Sequence, residues 1–324
     1  MMNKLAFRIA IPLAVILFIV IILLTNRSPF GKDNSSFAID EGKDISKIEM
    51  SSGRQKLTIE KKGETWMINN KTEARKNGIN LITRILKEIR IKSPVSSQLF
   101  ESEITAKNVQ PVKVRIFEHR KLLKSFLVYK TQSNIYGNIM KIRESSKPFI
   151  VCIPGFDQDI GSEFMLNELY WQSYTIINLL PSEIESVSFE NISDPGSSFR
   201  ITGQNPHFTL SGAEGVMNGW DTLLVGRYLS YFARVPFESW ALDLTGEERS
   251  RIISGSPLYR IEVKSTGGKS TVLTLWPKMS GSKGNEKVDS DRLYGKTGDH
   301  DELFIMRYFD IDPLIKRKSY FFTR

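Results

Sequence analysis

Residues of the types that do chemistry are few in this chain, and most sit in the wrong surroundings. Thr266-Gly267-Gly268-Lys269-Ser270 has the ending of a phosphate-binding loop. Such a loop needs another glycine five places before Gly268, where the chain has Val263, and a helix afterwards, where Thr271–Leu275 alternates as a strand. The segment therefore reads as a hairpin turn. Ser162, in Ile160-Gly161-Ser162-Glu163, lacks the second glycine of a nucleophile elbow. Cys152, the single cysteine, lies in the apolar run Phe149–Ile153, where a thiol behaves as a small hydrophobe. A cysteine nucleophile would need a histidine, and His119 is the nearest in sequence. One cysteine also excludes an intramolecular disulfide and any CxxC site, and His119, His207 and His300 are too scattered for a histidine metal centre. The carboxylate pairs Glu183/Glu185, Asp243/Glu247 and Asp299/Asp301 are of the kind used in acid–base or calcium chemistry. Asp289-Ser290-Asp291 and Asp299-His300-Asp301 bracket a glycine-containing loop and form the most metal-like constellation, although solvated loop charge accounts for them more simply. The sequence thus nominates no catalytic residue, no cofactor and no metal ligand.

Two surfaces remain for binding. Lys71, Arg75, Lys76, Arg84, Lys87, Arg90 and Lys92 are opposed only by Glu73 and Glu88, and concentrate much of the chain's formal charge of +9 on one helix and its approach. Such a face suits anionic headgroups or an acidic partner, while a solvated helix face explains it without any partner. No aromatic residue is interleaved with these cations, which argues against nucleic acid. In the second half Trp220, Tyr228, Tyr231, Phe232, Phe237 and Trp240 cluster; helical spacing assigns most of them to a core. Tyr231 and Phe232 are adjacent and cannot both face inward. The candidate binding surface is therefore Tyr231, Phe232 and Trp240, with Arg84 and Lys87 on the basic helix.

The elements that would position these residues repeat along the chain. Ile48 and Met50 alternate as Val187 and Phe189 do 139 positions later; Leu57, Ile59, Trp66 and Ile68 match Phe199, Ile201, Phe208 and Leu210 at 142. Val112, Val114, Ile116, Phe126 and Val128 match Tyr259, Ile261, Val263, Leu273 and Leu275 at 147. Looser echoes pair Tyr136-Gly137 with Tyr294-Gly295, and Phe149-Ile150-Val151 with Leu303-Phe304-Ile305. Asn77-Gly78 and Asn218-Gly219 each open a helical stretch. In the first, Ile79, Ile82, Ile85, Leu86 and Ile89 form one apolar stripe capped by Asn77; the second stripe is Trp220, Leu223, Leu224, Tyr228 and Tyr231. A helix with one apolar stripe must cover a sheet with one apolar face. The expected class is α+β: two tandem related units at 45–180 and 181–324, each an antiparallel sheet covered by one main helix.

Lys4 and Arg8 precede an unbroken apolar run, Ile9–Leu24, which just reaches the roughly 20 residues a membrane span requires. It exits through Leu23-Leu24-Thr25-Asn26-Arg27 with no small-residue cleavage pattern, so residues 1–25 are expected to be an uncleaved transmembrane anchor. The flanking cations favour a cytoplasmic N-terminus and a body on the other side. Residues 26–44, rich in Asn, Ser, Gly and charge, are expected to be a stalk.

An N-terminal span, then Lys56-Leu-Thr-Ile-Glu-Lys-Lys-Gly-Glu-Thr-Trp-Met-Ile68, then a helix after Asn77-Gly78 leading to Pro94 resembles the bacterial proteins of the domain of unknown function 4340 family. The match is better in the first half, because Phe208 stands where a second Trp66 would be. The resemblance implies no catalytic residues. It implies an accessory role beside ABC-type transporters or other envelope complexes at the inner membrane. Two other readings stay open: an envelope hydrolase acting on polysaccharide through carboxylates at 238–248 or 289–301, and a ligand sensor with a groove near Tyr228, Tyr231 and Trp240.

Overall fold

The structure, a computed structural model, describes residues 36–131, 137–155, 159–204, 207–281 and 287–322. The expected anchor at 1–25 lies outside the described residues. Among the described residues no helix is long and apolar enough to cross a membrane. The chain divides into two compact units between Gln172 and Ser173.

The first unit contains β1 (Lys47–Ser52), β2 (Gln55–Lys62), β3 (Thr65–Ile68), β4 (Thr72–Glu73), helix α1 (Lys76–Glu88), β5 (Arg90–Pro94), β6 (Val112–Glu118), β7 (Lys121–Tyr129), β8 (Asn138–Lys141) and β9 (Phe149–Cys152). Its antiparallel sheet runs β4-β3-β2-β1-β6-β7-β8-β9-β5. The second unit contains β10 (Thr175–Ile177), β11 (Ile184–Asn191), β12 (Phe199–Gln204), β13 (His207–Gly212), β14 (Gly215–Val216), helix α2 (Thr222–Ser230), β15 (Val235–Pro236), β16 (Ser239–Trp240), helix α3 (Gly246–Ser254), β17 (Tyr259–Ser265), β18 (Ser270–Ser280), β19 (Lys287–Thr297) and β20 (Phe304–Arg307). Its main sheet runs β14-β13-β12-β11-β17-β18-β19-β20-β16, and β10 pairs with β15 in a small ribbon.

This corrects the expected class. With 41% strand against 24% helix in three sheets, the fold is mainly antiparallel β. The reason lies in β7, where Phe126, Leu127, Val128 and Tyr129 are all buried in succession. Consecutive burial means both faces of the strand are covered. Phe126 and Val128 join the inner core with α1, whereas Leu127 and Tyr129 join Val95, Ile104 and Ile139 on the outer face. The helical turns at Ser97–Phe100 and Glu101–Thr105 close over that outer cluster, Phe100 meeting Tyr129 edge-on at 5.3 Å. In the second unit Trp276, Ala241 and Leu303 form the outer cluster, with Leu244 and Ile252 packed against it from the segment that carries α3. Each sheet thus has a main helix on its inner face and a second helical cover at one end of its outer face.

The two sheets share register as well as order. Ile48 pairs with Ile59 and Ile116, as Val187 pairs with Ile201 and Val263. Val114 pairs with Phe126, as Ile261 pairs with Leu273. At the far strands Met140 opposes Phe149 and Gly295 opposes Phe304. This aligns Phe149-Ile150-Val151 with Phe304-Ile305-Met306, one residue beyond the match drawn from sequence, and a slip of one residue inverts the faces. The same register aligns Ile139-Met140, rather than Tyr136-Gly137, with Tyr294-Gly295.

Three local expectations are also corrected. The stripe of α1 is buried as its spacing requires, but the helix begins at Lys76 with Arg75 as its cap residue, so Asn77 caps nothing. Gly78 leaves room for the Arg75 side chain, which crosses the first turn to donate from Nε to the Tyr170 carbonyl at 2.8 Å. In α2 the cap is Asp221, accepting from Leu223 N–H at 2.7 Å, and the buried stripe is Val225, Tyr228 and Leu229, continued by Phe232; Leu223 is 81% exposed. The end of the expected stalk is core: Phe37 and Ile39 are buried, Phe37 packs on Phe126 and Phe149, and Ile39 N–H donates to the Leu86 carbonyl. Alternating Phe37 and Ile39 outweighs the polar residues between Asp40 and Asp44.

Candidate functional site

The aromatic candidates are mostly interior. Phe232 is fully buried against Tyr228, and Trp240 packs edge-on against Phe237, Phe304 and His300 at 5.0, 5.9 and 5.2 Å. Tyr228 is fully buried, and its hydroxyl donates to the Leu314 carbonyl at 2.9 Å. Only Tyr231 is half-exposed, so Tyr231, Phe232 and Trp240 do not form a surface. On α1, Arg84 is exposed and bound to Glu88 at 2.9 Å across one helical turn, and Lys87 is half-buried in the last turn.

The carboxylates are tied into the framework. Glu238 takes both arms of the Arg292 guanidinium at 2.7 and 3.0 Å, which hold its carboxyl below the usual range. Asp289 lies inside β19 and accepts the Asp291 and Arg292 N–H groups at 2.9 and 3.1 Å, with Lys278 3.4 Å away; these bonds hold its carboxyl low. Glu248 completes a capping box with Thr245 at the start of α3. Glu183 caps the Leu180 N–H, and Glu185 pairs with Lys264 at 2.7 Å. Asp299 and Asp301 are exposed beside Lys269 and Lys296. Among the described residues no group of three or more His, Cys, Asp or Glu side chains is placed to hold a metal ion. The Gly267-Gly268 segment is the β17–β18 turn, with Gly268 at φ +82°.

A feature that can receive a ligand lies on the first unit. β8 pairs with β7 only from Leu127 to Tyr129, because the chain leaves the sheet after Lys141. The turn at 143–146 is closed by the Ser146 N–H to the Arg143 carbonyl and by the Arg143 N–H to the Ser146 hydroxyl. Among the described residues no strand covers the β8-side edge of β7 from Lys121 to Phe126. A cleft of about 720 Å³ opens there, within the usual range of ligand pockets. Leu122, Leu123, Leu127 and Ile142 supply its apolar lining. Lys113 from β6, Lys124 from β7 and Arg143 from the turn supply cations, against the single carboxylate of Glu144. A fourth cation, Lys141, is already engaged: its amine donates to the Glu144 carbonyl and lies 5.0 Å from the centre of the Phe100 ring.

Sequence inspection overlooks this cleft because Arg143 lies far along the chain from the basic hairpin that carries Lys113 and Lys124, and only the fold brings them to one edge. The available signal was the polar run Arg143-Glu144-Ser145-Ser146, which ends a strand early beside a longer one. No known protein family, curated protein or solved structure matches the chain.

Proposed function

We propose that this chain is a single-pass, membrane-anchored binding or scaffold protein, held at a bacterial inner membrane with its body on the extracytoplasmic side and serving an ABC-type transporter or another envelope complex. The apolar run Ile9–Leu24 supports the setting. The observation that carries the binding reading is the open cationic cleft on β7 of the first unit, whereas the carboxylates suited to a hydrolase, in the second unit, are engaged in ion pairs and caps. An enzyme of polysaccharide hydrolysis needs two carboxyl groups facing one substrate bond. Glu238 and Asp289 instead face Arg292 and Lys278.

The test is crosslinking in native membranes with residues 1–25 intact, followed by purification and identification of bound subunits. Recovery of transporter or envelope subunits, absent when the body is released without residues 1–25, is the expected result. A mature chain that begins beyond Thr25, or polysaccharide cleavage by the purified chain, overturns the reading.

A further inference from the structure

Resting on the reading of the first unit as a binding module, we propose that the β7 cleft takes an anionic ligand with a short aliphatic portion. Its charged group lies at the uncovered edge of β7, which Arg143 borders and which Lys113 and Lys124 approach from opposite faces of the sheet, and its aliphatic part lies on Leu122 and Leu127.

The second unit serves as an internal control. Shared register equates Lys113 with Arg260, Lys124 with Thr271 and, two residues past Lys141 where the β7–β8 pairing ends, Arg143 with Gly298. The same sheet therefore forms with two of the three cations replaced by neutral residues, so packing does not require them. The turns also share a device: Lys141 donates to the Glu144 carbonyl, and Lys296 donates to the His300 carbonyl at 2.8 Å. Around the second turn, however, the positive charge is met within the unit, Asp299 lying 3.7 Å from Lys269 and Asp301 4.0 Å from Lys296. Among the described residues, Lys113, Lys124 and Arg143 form no ion pair, although they line one cleft. With Glu144 the single carboxylate beside three cations, the excess positive charge repels itself, and a bound anion lowers that cost.

The apolar part of the site fixes the rest of the ligand. Leu122 is 49% exposed on the uncovered edge of β7, and Leu127 lies at its floor. A free inorganic anion would leave this surface wet, whereas an anion with a short alkyl chain covers it. A phosphate or carboxylate on such a chain comes either from a soluble metabolite or from a lipid headgroup region.

The test uses the full chain in nanodiscs of phosphatidylcholine and titrates hexyl phosphate, inorganic phosphate and hexyl glucoside by calorimetry. Hexyl phosphate is expected to bind saturably, inorganic phosphate about tenfold more weakly, and the glucoside not at all. Lys124→Thr and Arg143→Gly install the residues the second unit carries, so folding, checked by circular dichroism, is retained. Each is expected to weaken hexyl phosphate binding roughly tenfold, and Arg260→Ala is expected to leave it unchanged. Added phosphatidylglycerol vesicles that compete with hexyl phosphate identify a lipid headgroup as the source; failure to compete identifies a soluble anion. No hexyl phosphate binding, or equal binding by the Lys124→Thr/Arg143→Gly variant, overturns the proposal. Either result leaves the crosslinking outcome independent, so loss of this site and loss of the scaffold reading are told apart.

Discussion

Replacing Gly295 by alanine isolates what the shared register demands. Gly295 opposes Phe304, and its counterpart Met140 opposes Phe149. A Cβ on Gly295 would lie 2.7 Å from Phe304 Cζ and 2.9 Å from Cδ2, and closer still to Cε2. The ring cannot simply swing away. Phe304 is 1% exposed and wedged between Phe237 at 4.8 Å and Trp240 at 5.9 Å. Relief requires a shift of about 1 Å in a packed aromatic cluster, an overpacking cost of about 1–3 kcal/mol. For a unit of this size that lowers the melting temperature by about 2–12 °C. The assay is thermal unfolding of the full chain followed by circular dichroism, with tryptophan fluorescence, to which Trp240 and Trp276 near the substituted position contribute, as a second signal. Gly295→Ala is expected to destabilise, and adding Phe304→Leu is expected to recover part of the loss by vacating the ring's space. A melting temperature for Gly295→Ala within 1 °C of the parent would show that the glycine is not there to admit Phe304, and the register argument would fail with it.

Tyr228→Phe strands the buried Leu314 carbonyl and is expected to cost about 1 kcal/mol in denaturant titrations. Burial pushes the Tyr228 phenol far above its ordinary value, so its contribution is complete below the unfolded pKa of about 10 and declines as pH rises beyond it; Tyr228→Phe should flatten that alkaline decline. Gly226→Ala is expected to stabilise by about 0.5–1 kcal/mol, since Gly226 lies inside α2 with open space where a Cβ would go; an unchanged or lower melting temperature counts against this. For Glu49, burial works to raise the carboxyl, but a hydrogen bond from Lys47 and the charges of Arg115, Lys47 and Lys56 prevail and hold it low. Its stabilising effect is therefore present above the usual carboxylate range and lost as pH falls through the depressed value. Glu49→Gln should cost up to about 1 kcal/mol at pH 7, with the gap closing in strong acid, as followed by urea unfolding across pH.

Alternation made the inner face legible: Ile48 and Met50, Val114 and Ile116, and their partners in the second unit sit where a period of two puts them. The stripe of α1 was equally plain, because Ile79, Ile82, Ile85, Leu86 and Ile89 leave no other helical face apolar. What escaped was whatever departs from one buried face per strand. Phe126–Tyr129 shows no alternation, and its unbroken run was the available sign of a second cover. Phe37 and Ile39 are two residues in a polar stretch, and their burial depends on Phe126 and Phe149, which lie far along the chain. The α2 stripe was misplaced because Trp220 and Leu223 are as apolar as Val225 and Leu229, and only the cap at Asp221 fixes the helix phase. The cleft exists only because β8 is shorter than β7, and the polar run Arg143–Ser146 marks that early end without showing which longer strand lies beside it.

Differences between the two units fall into two physical kinds. On inner positions they come with compensation. Gly295 in place of Met140 removes volume that the Phe304 ring takes up, with Trp240 and Phe237 closing around it. Buried Asn138, in place of Leu293, is satisfied by the Gly161 N–H at 2.7 Å. Close packing and polar satisfaction favour such paired changes, because an uncompensated one removes a sizeable share of a domain's marginal stability. At the cleft the differences have no such partner: among the described residues of the first unit only Glu144 lines the cleft with an opposing charge, and in the second unit a Cβ added at Gly298 would meet nothing within 4 Å. Changes that stability does not force are the ones that ligand chemistry is free to set. That contrast is why function is sought on the outer edge of β7 and not in the better-packed aromatic cluster around Trp240.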